Sequence, residues 1–514
     1  MNALSWALHS KEDWQRKAAD PKIRAKWYEE AVSQIDEDDE DELMTEGMRA
    51  CSEAIWYSDR LIQDDVLQRL KSAAKALEDV PDSEKDWHPG SDDQVLDLIH
   101  PSLYCLVYGR THAYLPNEPR TAANLLPVHR PPTTRFESLT SSEHAMYDKR
   151  FNERLLAQLD DFVSEDFCWM PSDFAVDSDG VVALASPYIN NLHPVKHQSL
   201  YRAIEEILTA FIPMFERVLG DANLDMSGRN APYGPIGSRG YVNCIWDNLR
   251  EEPEDPRSFP KTLPEAMEYE GQLEEGFKPV PLRGMTIQCI IKLANIHLTP
   301  ENPQYDGGSW HIEGMANEGI VASGIYYYDE ENLTQSKLAF RSPVGDPHYH
   351  FQNDHECQVM LYDIDNNTNC VQDLGAVITK AGRALSWPNL YQHRVSPIEL
   401  ADPSKPGHRK ILAIFLVDPT KALIPSASDV PPQQAEWAVD AFEEAWASAG
   451  PRSVLSALPL ELRDMIKEEI LASGTVMTLK EAEDYRLELM EERTSSIKYH
   501  NEVVSERTFN MCEH

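Results

Sequence analysis

Apolar and polar positions change rhythm three times along the chain. Behind Asp20-Pro21, a cap followed by a first-turn proline, Ile23, Trp27 and Ala31 recur four apart and predict a helix. Helical spacing continues over 48–62 and 66–77 and breaks near Leu96–His100. Residues 115–134 carry Pro116, Pro119, Pro127, Pro131 and Pro132, so they read as an extended connection. A helix over 151–162 then leads to two apolar runs split by Asp179-Gly180, a hairpin signal. An apolar helix over 200–219 follows, and 251–264 is a second proline-rich, acidic loop.

From 286 to 417 the texture becomes that of strands. The runs 286–298, 320–328, 336–340, 359–362, 376–379, 384–387 and 410–417 are short, bounded by turn residues and not interleaved with helices. That pattern predicts an antiparallel sandwich or barrel, not a βαβ sheet. Helical patterns return over 431–446 and 458–471, and Thr478-Leu-Lys-Glu481 is a capping box opening a last helix through 492. The expected class is α+β, in three parts. They are a helical N-terminal region over 1–135, a β-rich domain with its preceding helices and hairpin over 136–425, and a helical C-terminal region over 426–514.

Composition narrows the partners. The 514 residues include 86 acidic and 47 basic side chains, for a formal net charge of -39. Nucleic acid and anionic membrane are disfavoured, because phosphate binding draws on clustered Lys and Arg. The acidic run 36–42 reads as a solvated loop. The longest clean apolar run, 411–417, is the size of a buried strand, far short of the roughly 18–20 residues that span a bilayer. Lys11, Glu12, Asp13 and Arg16 stand where a secretory peptide would need an apolar core, so an intracellular protein, cytoplasmic or nuclear, is expected. Eight cysteines with no C-x-x-C pair read as reduced thiols.

The candidate chemistry lies in the β-rich part. His311-Ile-Glu313 places two ligand types on one side of a strand, and His393 follows 80 residues after Glu313. Two histidines and a carboxylate on one face of an octahedral metal are the triad of non-haem iron(II) oxygenases. The spacing alone is weak: 17 histidines and an acidic fraction of 86/514 give about three H-x-D/E matches by chance, and two occur. The other, His500-Asn-Glu502, sits in a helical tail where positions two apart diverge by about 200°. His348, His350 and His355 form a second cluster and read as an insertion loop. His297 reads as a core histidine that could line a pocket, His193 and His197 as helix neighbours, and Trp310 and Trp387 as packing residues.

The order Trp310-His-Ile-Glu-Gly314, 320–329, Ser336-Lys-Leu-Ala-Phe-Arg341, 381–387, His393-Arg-Val-Ser-Pro397 and 409–418 resembles the double-stranded β-helix (jelly-roll, cupin-like) of prolyl-hydroxylase-type iron(II)/2-oxoglutarate-dependent oxygenases. The resemblance covers about 286–418. It implies an oxidoreductase with cofactors Fe(II) and 2-oxoglutarate, metal ligands His311, Glu313 and His393, and hydroxylation as the default outcome. It also gives Arg409, on the closing strand, the role of gripping the distal carboxylate of 2-oxoglutarate, which suits a planar guanidinium fork. Tyr327 aligns with a strand tyrosine that donates to the same carboxylate, and Ser323 faces the same way. Lys410 competes with Arg409, since alternation lets only one point inward. Glu313 replaces the commoner Asp, and Arg409 follows His393 by sixteen residues across a lengthened loop, 398–408.

Across nearly its whole length the chain is similar to an uncharacterised fungal family, through Leu98-Ile-His-Pro-Ser-Leu103, Tyr188-Ile-Asn-Asn-Leu-His-Pro194 and Glu481-Ala-Glu-Asp-Tyr-Arg486. That likeness supplies no reaction. The substrate expected is a small molecule or a basic protein segment. Two rivals stand beside the oxygenase: a catalytically inactive jelly roll kept as a binding scaffold, and an iron-dependent oxidase that does not use 2-oxoglutarate.

Overall fold

In the computed structural model the described residues are 14–28, 48–52, 54–130, 162–222, 280–344, 359, 364–420, 424–450, 453–455 and 458–510. The main helices are α1 (Trp14–Ala19), α2 (Asp64–Glu78), α3 (Gln198–Ala222), α4 (Ala435–Ala447), α5 (Leu460–Ala472) and α6 (Leu479–His500). The strands begin with β1 (Arg49–Ser52), β2 (Ile55–Ser58), β3 (Val95–Ile99), β4 (Leu106–Val107), β5 (His112–Tyr114), β6 (Leu125–Pro127), β7 (Phe167–Cys168), β8 (Ser172–Val176) and β9 (Val182–Leu184). They continue with β10 (Thr286–Leu298), β11 (Gln304–Tyr305), β12 (Ile320–Glu331), β13 (Ser336–Pro343), β14 (Val371–Thr379), β15 (Ala384–Pro388), β16 (Gln392–Val395), β17 (Ile398–Glu399) and β18 (Gly407–Val417).

Two antiparallel sheets organise these elements. The larger runs β1-β2-β15-β12-β18-β10-β8-β9, with β3 also paired to β10. The smaller runs β14-β13-β16, and His311 extends it by one bridge to His393 on β16. The fold is therefore mixed helix and antiparallel sheet.

Alternation on β18 assigns the faces. Leu412, Ile414 and Leu416 join a core built with α2 and α3, whereas Ala413, Phe415 and Val417 belong to a different cluster on the opposite face. Between the two sheets Ile325, Tyr327, Leu385 and Trp387 meet Leu338, Phe340 and Val377. α3 crosses β12 closely because residue 324 is glycine: a Cβ there would lie 2.8 Å from the Phe211 ring and 3.1 Å from Phe215.

β12 carries a bulge between Tyr327 and Asp329. Without it, period-two alternation would turn Tyr327 and Glu330 to opposite faces. With it, Tyr327 lies in the inner cluster, Glu330 pairs with Arg409, and Asp329 reaches Lys71 of α2 on the outside.

Most sequence-based elements appear where expected. The hairpin at Asp179-Gly180 forms, with Gly180 at φ +89°, and Thr478 caps α6 by accepting from the Glu481 amide. α6 runs on to His500, past the expected end at 492.

The stretch 48–62 is not a helix. It forms the β1–β2 hairpin around Ala54 at φ 54°, and β2 pairs with β15 at the edge of the large sheet. Burial of Met48 and Ile55, with ladder bonds to β15, overrides the local helical spacing. The acidic run 36–42, residues 151–161, loop 251–264, the cluster His348, His350 and His355, and most of 359–362 lie outside the described residues. Among the described residues no helix is long and apolar enough to cross a membrane. Cys105, Cys168 and Cys289 are buried free thiols, and Cys370 is buried.

Candidate metal centre

His311 and His393 meet through backbone pairing. The His311 amide donates to the His393 carbonyl at 3.3 Å, and the His393 amide to the His311 carbonyl at 2.9 Å. Their ring centroids lie 4.3 Å apart. Glu313, two residues on, places Oε1 3.2 Å from His393 Nε2 and 3.7 Å from His311 Nε2. All three potential ligand atoms lie within 4.8 Å of one another.

The surroundings fix this trio. His311 Nδ1 lies 2.8 Å from the Ser309 carbonyl; donation there leaves Nε2 as the ligand nitrogen. Asn389 clamps the Glu313 backbone, accepting from its amide and donating to its carbonyl, each at 2.8 Å. Gly314, at φ +68°, turns the chain immediately after Glu313, and a Cβ there would lie 2.9 Å from Ile320. Asn389 and Ser309 carry no motif. Their roles arise only when loop and strand close on each other.

The charges follow from proximity. Burial pushes the Glu313 carboxyl upward, but the two imidazoles outweigh it and hold the group well below the ordinary carboxylate range. Burial lowers His311, yet the Glu313 carboxylate beside it brings its pKa above the ordinary value. His393 is held down by burial and then by the charge on His311. The carboxylate thus draws His311 toward protonation, while burial and His311 hold His393 away from it, and together they present two nitrogens and one oxygen that a divalent metal can claim.

Arg409 points between the sheets and is 1 % exposed. Its Nε donates to Glu330 Oε2 at 2.8 Å and its Nη1 to Ser336 Oγ at 2.6 Å. Nη2 lies 2.7 Å from the same Glu330 oxygen, but its N–H is not aimed along that line and makes no hydrogen bond. The Tyr327 ring lies 5.6 Å from the guanidinium carbon. Lys410 faces the other way and pairs with Glu78 of α2. Tyr327 Oη, Ser323 Oγ and Trp387 Nε1 are buried without a hydrogen-bond partner, as is Arg409 Nη2. Tyr327, Ser323 and Trp387 thus each leave one buried polar atom unsatisfied, whereas Arg409 Nη2 stays in its ion pair with Glu330.

Lys292 was not singled out by the sequence reading. It lies opposite Ala413, on the same side of β10 as Ile290, and its charge opposes protonation of His311. Alternation puts His297 on the other side, where it packs against Trp87 and His408 away from the trio. Trp310 is gripped by the guanidinium groups of Arg341 and Arg394, at 4.6 and 4.7 Å, and Trp387 packs 4.9 Å from the His393 ring. His193 Nδ1 accepts from the amides of Val195 and Lys196 before α3 begins, and its ring packs on Trp437.

A second group, His88, Asp97 and His100, also lies within metal-ligand range. Several of its polar atoms are engaged, although Asp97 Oδ1 has no hydrogen-bond partner. Asp97 Oδ2 accepts from Arg486 at 2.7 Å, and His100 Nδ1 accepts from the Ser102 amide, which leaves Nε2 carrying the proton. The Arg486 guanidinium bonded to Asp97 Oδ2 ties this group into a buried charge network.

Residues 25–441 match the family described as Protein of unknown function (DUF4246), and the chain belongs to that family. No curated protein matches the sequence. Among solved structures the chain is similar to the Fe(II)/(alpha)ketoglutarate-dependent dioxygenase TqaL, at 11% identity over 71% of this chain and 96% of that one, with a TM-score of 0.23. It is also similar to IDO from Bacillus thuringiensis, at 10% identity over 55% and 92% of the two chains, with a TM-score of 0.20. Oxalate decarboxylase from Lactobacillus farciminis follows at 13% identity, 33% and 34% coverage and a TM-score of 0.12. The likeness is faint in each case.

Proposed function

We propose that this member of the family is a non-haem iron(II) oxygenase that uses 2-oxoglutarate to oxidise a small molecule. The observation that carries the reading is the convergence of His311, Glu313 and His393, with Nε2, Oε1 and Nε2 within bonding range of one ion. The sheet order supports a double-stranded jelly roll: β15-β12-β18-β10 on one wall, and β14-β13-β16 with the His311 segment on the other. On this reading 136–425 is the catalytic domain, joined by β1–β3 from the N-terminal region and closed by the helices of 426–514.

The residues fit the group. His311, Glu313 and His393 would hold iron on one face and leave the opposite face open to ligands. Tyr327, Ser323 and Trp387 offer unpartnered polar atoms, and Arg409 a guanidinium now paired with Glu330, that a dicarboxylate would engage. Bound iron and 2-oxoglutarate supply oxidising power from dioxygen, with the oxo acid leaving as succinate and carbon dioxide. The chain's own share is geometric and electrostatic. Ser309 fixes the His311 ring, Asn389 fixes Glu313, and α6 with its following turn supplies one wall of the cavity beside them.

One observation favours a second reading. Glu330 already neutralises Arg409, which suits an iron enzyme that does not take 2-oxoglutarate. Oxygen uptake and succinate release by the iron-loaded protein against a metabolite panel, with His311→Ala as control, test both. Iron-dependent succinate release supports the first reading, oxygen uptake without succinate supports the second, and neither activity rejects both.

A further inference from the structure

A cavity of about 370 Å³ opens beside the trio, lined by His311 and Glu313. Phe162, Met315, Val321, Val417, Ile497 and Val504 give it apolar walls. Among the described residues no lysine or arginine lines it. Its polar residues are largely engaged with the protein itself. Asn389 holds Glu313 and Ile320, Gln392 donates to Asn501, Asn317 donates to Phe167 and Tyr108, and Asp418 accepts from Thr420. His500 differs. Its Nδ1 bonds Ser505 Oγ at 3.1 Å, and among the described residues none bonds its Nε2.

We propose, building on the iron oxygenase reading, that this cavity receives the substrate and selects an uncharged, largely apolar molecule oriented by one hydrogen bond to His500. An anion entering here meets the Glu313 and Asp418 carboxylates and, among the described residues, no lysine or arginine, while the His311 ring is already paired with Glu313. Stripping its hydration without a partner costs several kcal/mol. Burial lowers His500 to about 4, so near neutral pH its ring offers a hydrogen bond and no charge. An apolar molecule loses nothing polar on entry and gains burial against six hydrophobic side chains.

The closing wall belongs to this chain's C-terminal part. Ser496, Ile497, His500 and Val504 lie beyond residue 441, where the family match ends. The cavity lining is thus shared between this segment and residues of the matched part, Phe162, Met315, Val321 and Val417. Asn501 links the two by donating to the Trp310 carbonyl at 3.2 Å.

Four fluorinated probes of similar size test the proposal by ¹⁹F NMR on the metal-free full-length protein: 4-fluorotoluene, 4-fluorobenzyl alcohol, 4-fluorobenzoate and 4-fluorobenzylamine. The two neutral probes are expected to bind at least tenfold more tightly than the benzoate and the benzylamine. Ile497→Trp, which fills the cavity, should weaken both neutral probes tenfold or more, and His500→Phe should weaken the alcohol but not the toluene. Tighter binding of either charged probe, or neutral binding that Ile497→Trp leaves intact, overturns the proposal. Adding Mn(II) separates this from the underlying reading. Broadening of the bound probe's signal that is lost in His311→Ala places the cavity beside a metal. Selective neutral binding without that broadening keeps the cavity and sinks the metal centre.

Discussion

His311 and His393 are joined by a reciprocal pair of backbone hydrogen bonds that sets their rings 4.3 Å apart, although 82 positions separate them in the chain. The imidazole spacing thus follows from strand pairing, and the remaining freedom lies in Glu313, which Asn389 restrains from both its amide and its carbonyl.

Asn389→Ala should therefore weaken metal binding by roughly 10–100-fold, the usual effect of removing a group that orients a ligand. Mn(II) titration followed by electron paramagnetic resonance measures this. Unchanged affinity would mean that Glu313 is held by other contacts.

The trio also predicts a pH window for the metal-free fold. Glu313, with a lowered pKa, contributes stability that is complete above its ordinary value of 4.5 and lost as pH falls through the lowered value. His311, with a raised pKa, contributes stability that is complete below its ordinary 6.5 and lost as pH rises through the raised value. The Tm difference between the wild type and Glu313→Gln should peak between about pH 4.5 and 6.5 and shrink on both sides. A difference that keeps growing above neutrality contradicts the assigned charges.

Arg409→Lys keeps the charge and removes the fork. On the 2-oxoglutarate reading it should lower affinity for that acid about tenfold or more, read by anaerobic absorption titration of the iron-loaded protein. If Arg409 serves only Glu330 and Ser336, the affinity stays and Tm alone falls. A loss in Lys292→Met with Arg409→Lys unaffected would move the anchor to β10.

Gly324→Ala should destabilise the fold by about 1–3 kcal/mol, because the new methyl group would meet the rings of Phe211 and Phe215. Denaturant unfolding measures it. A neutral result would show that α3 can shift off β12 at little cost.

The sequence disclosed the strands more readily than the contacts between them. β10 and β18 are long apolar runs buried on both faces, and their limits lie within three residues of those expected. The β1–β2 hairpin escaped because its turn residue is Ala54, with no Gly, Asn or Asp to signal a left-handed φ, and because its partner β15 lies over 300 positions away. At the site, the close spacing of His311 and Glu313 was legible, but the expected strand is not there: His311 makes one isolated bridge to His393, and the chain bends at Glu313 and Gly314. The pairing of Arg409 with Glu330 was not legible, since it depends on the bulge after Tyr327, and His500 reaches the cavity only because α6 runs two turns past its expected end.

Anomalous diffraction at the iron edge from crystals grown anaerobically with Fe(II) tests the metal centre most directly. A single peak bonded to His311 Nε2, Glu313 Oε1 and His393 Nε2 is the expected result. A peak between His88 and His100, or no peak at either place, contradicts it.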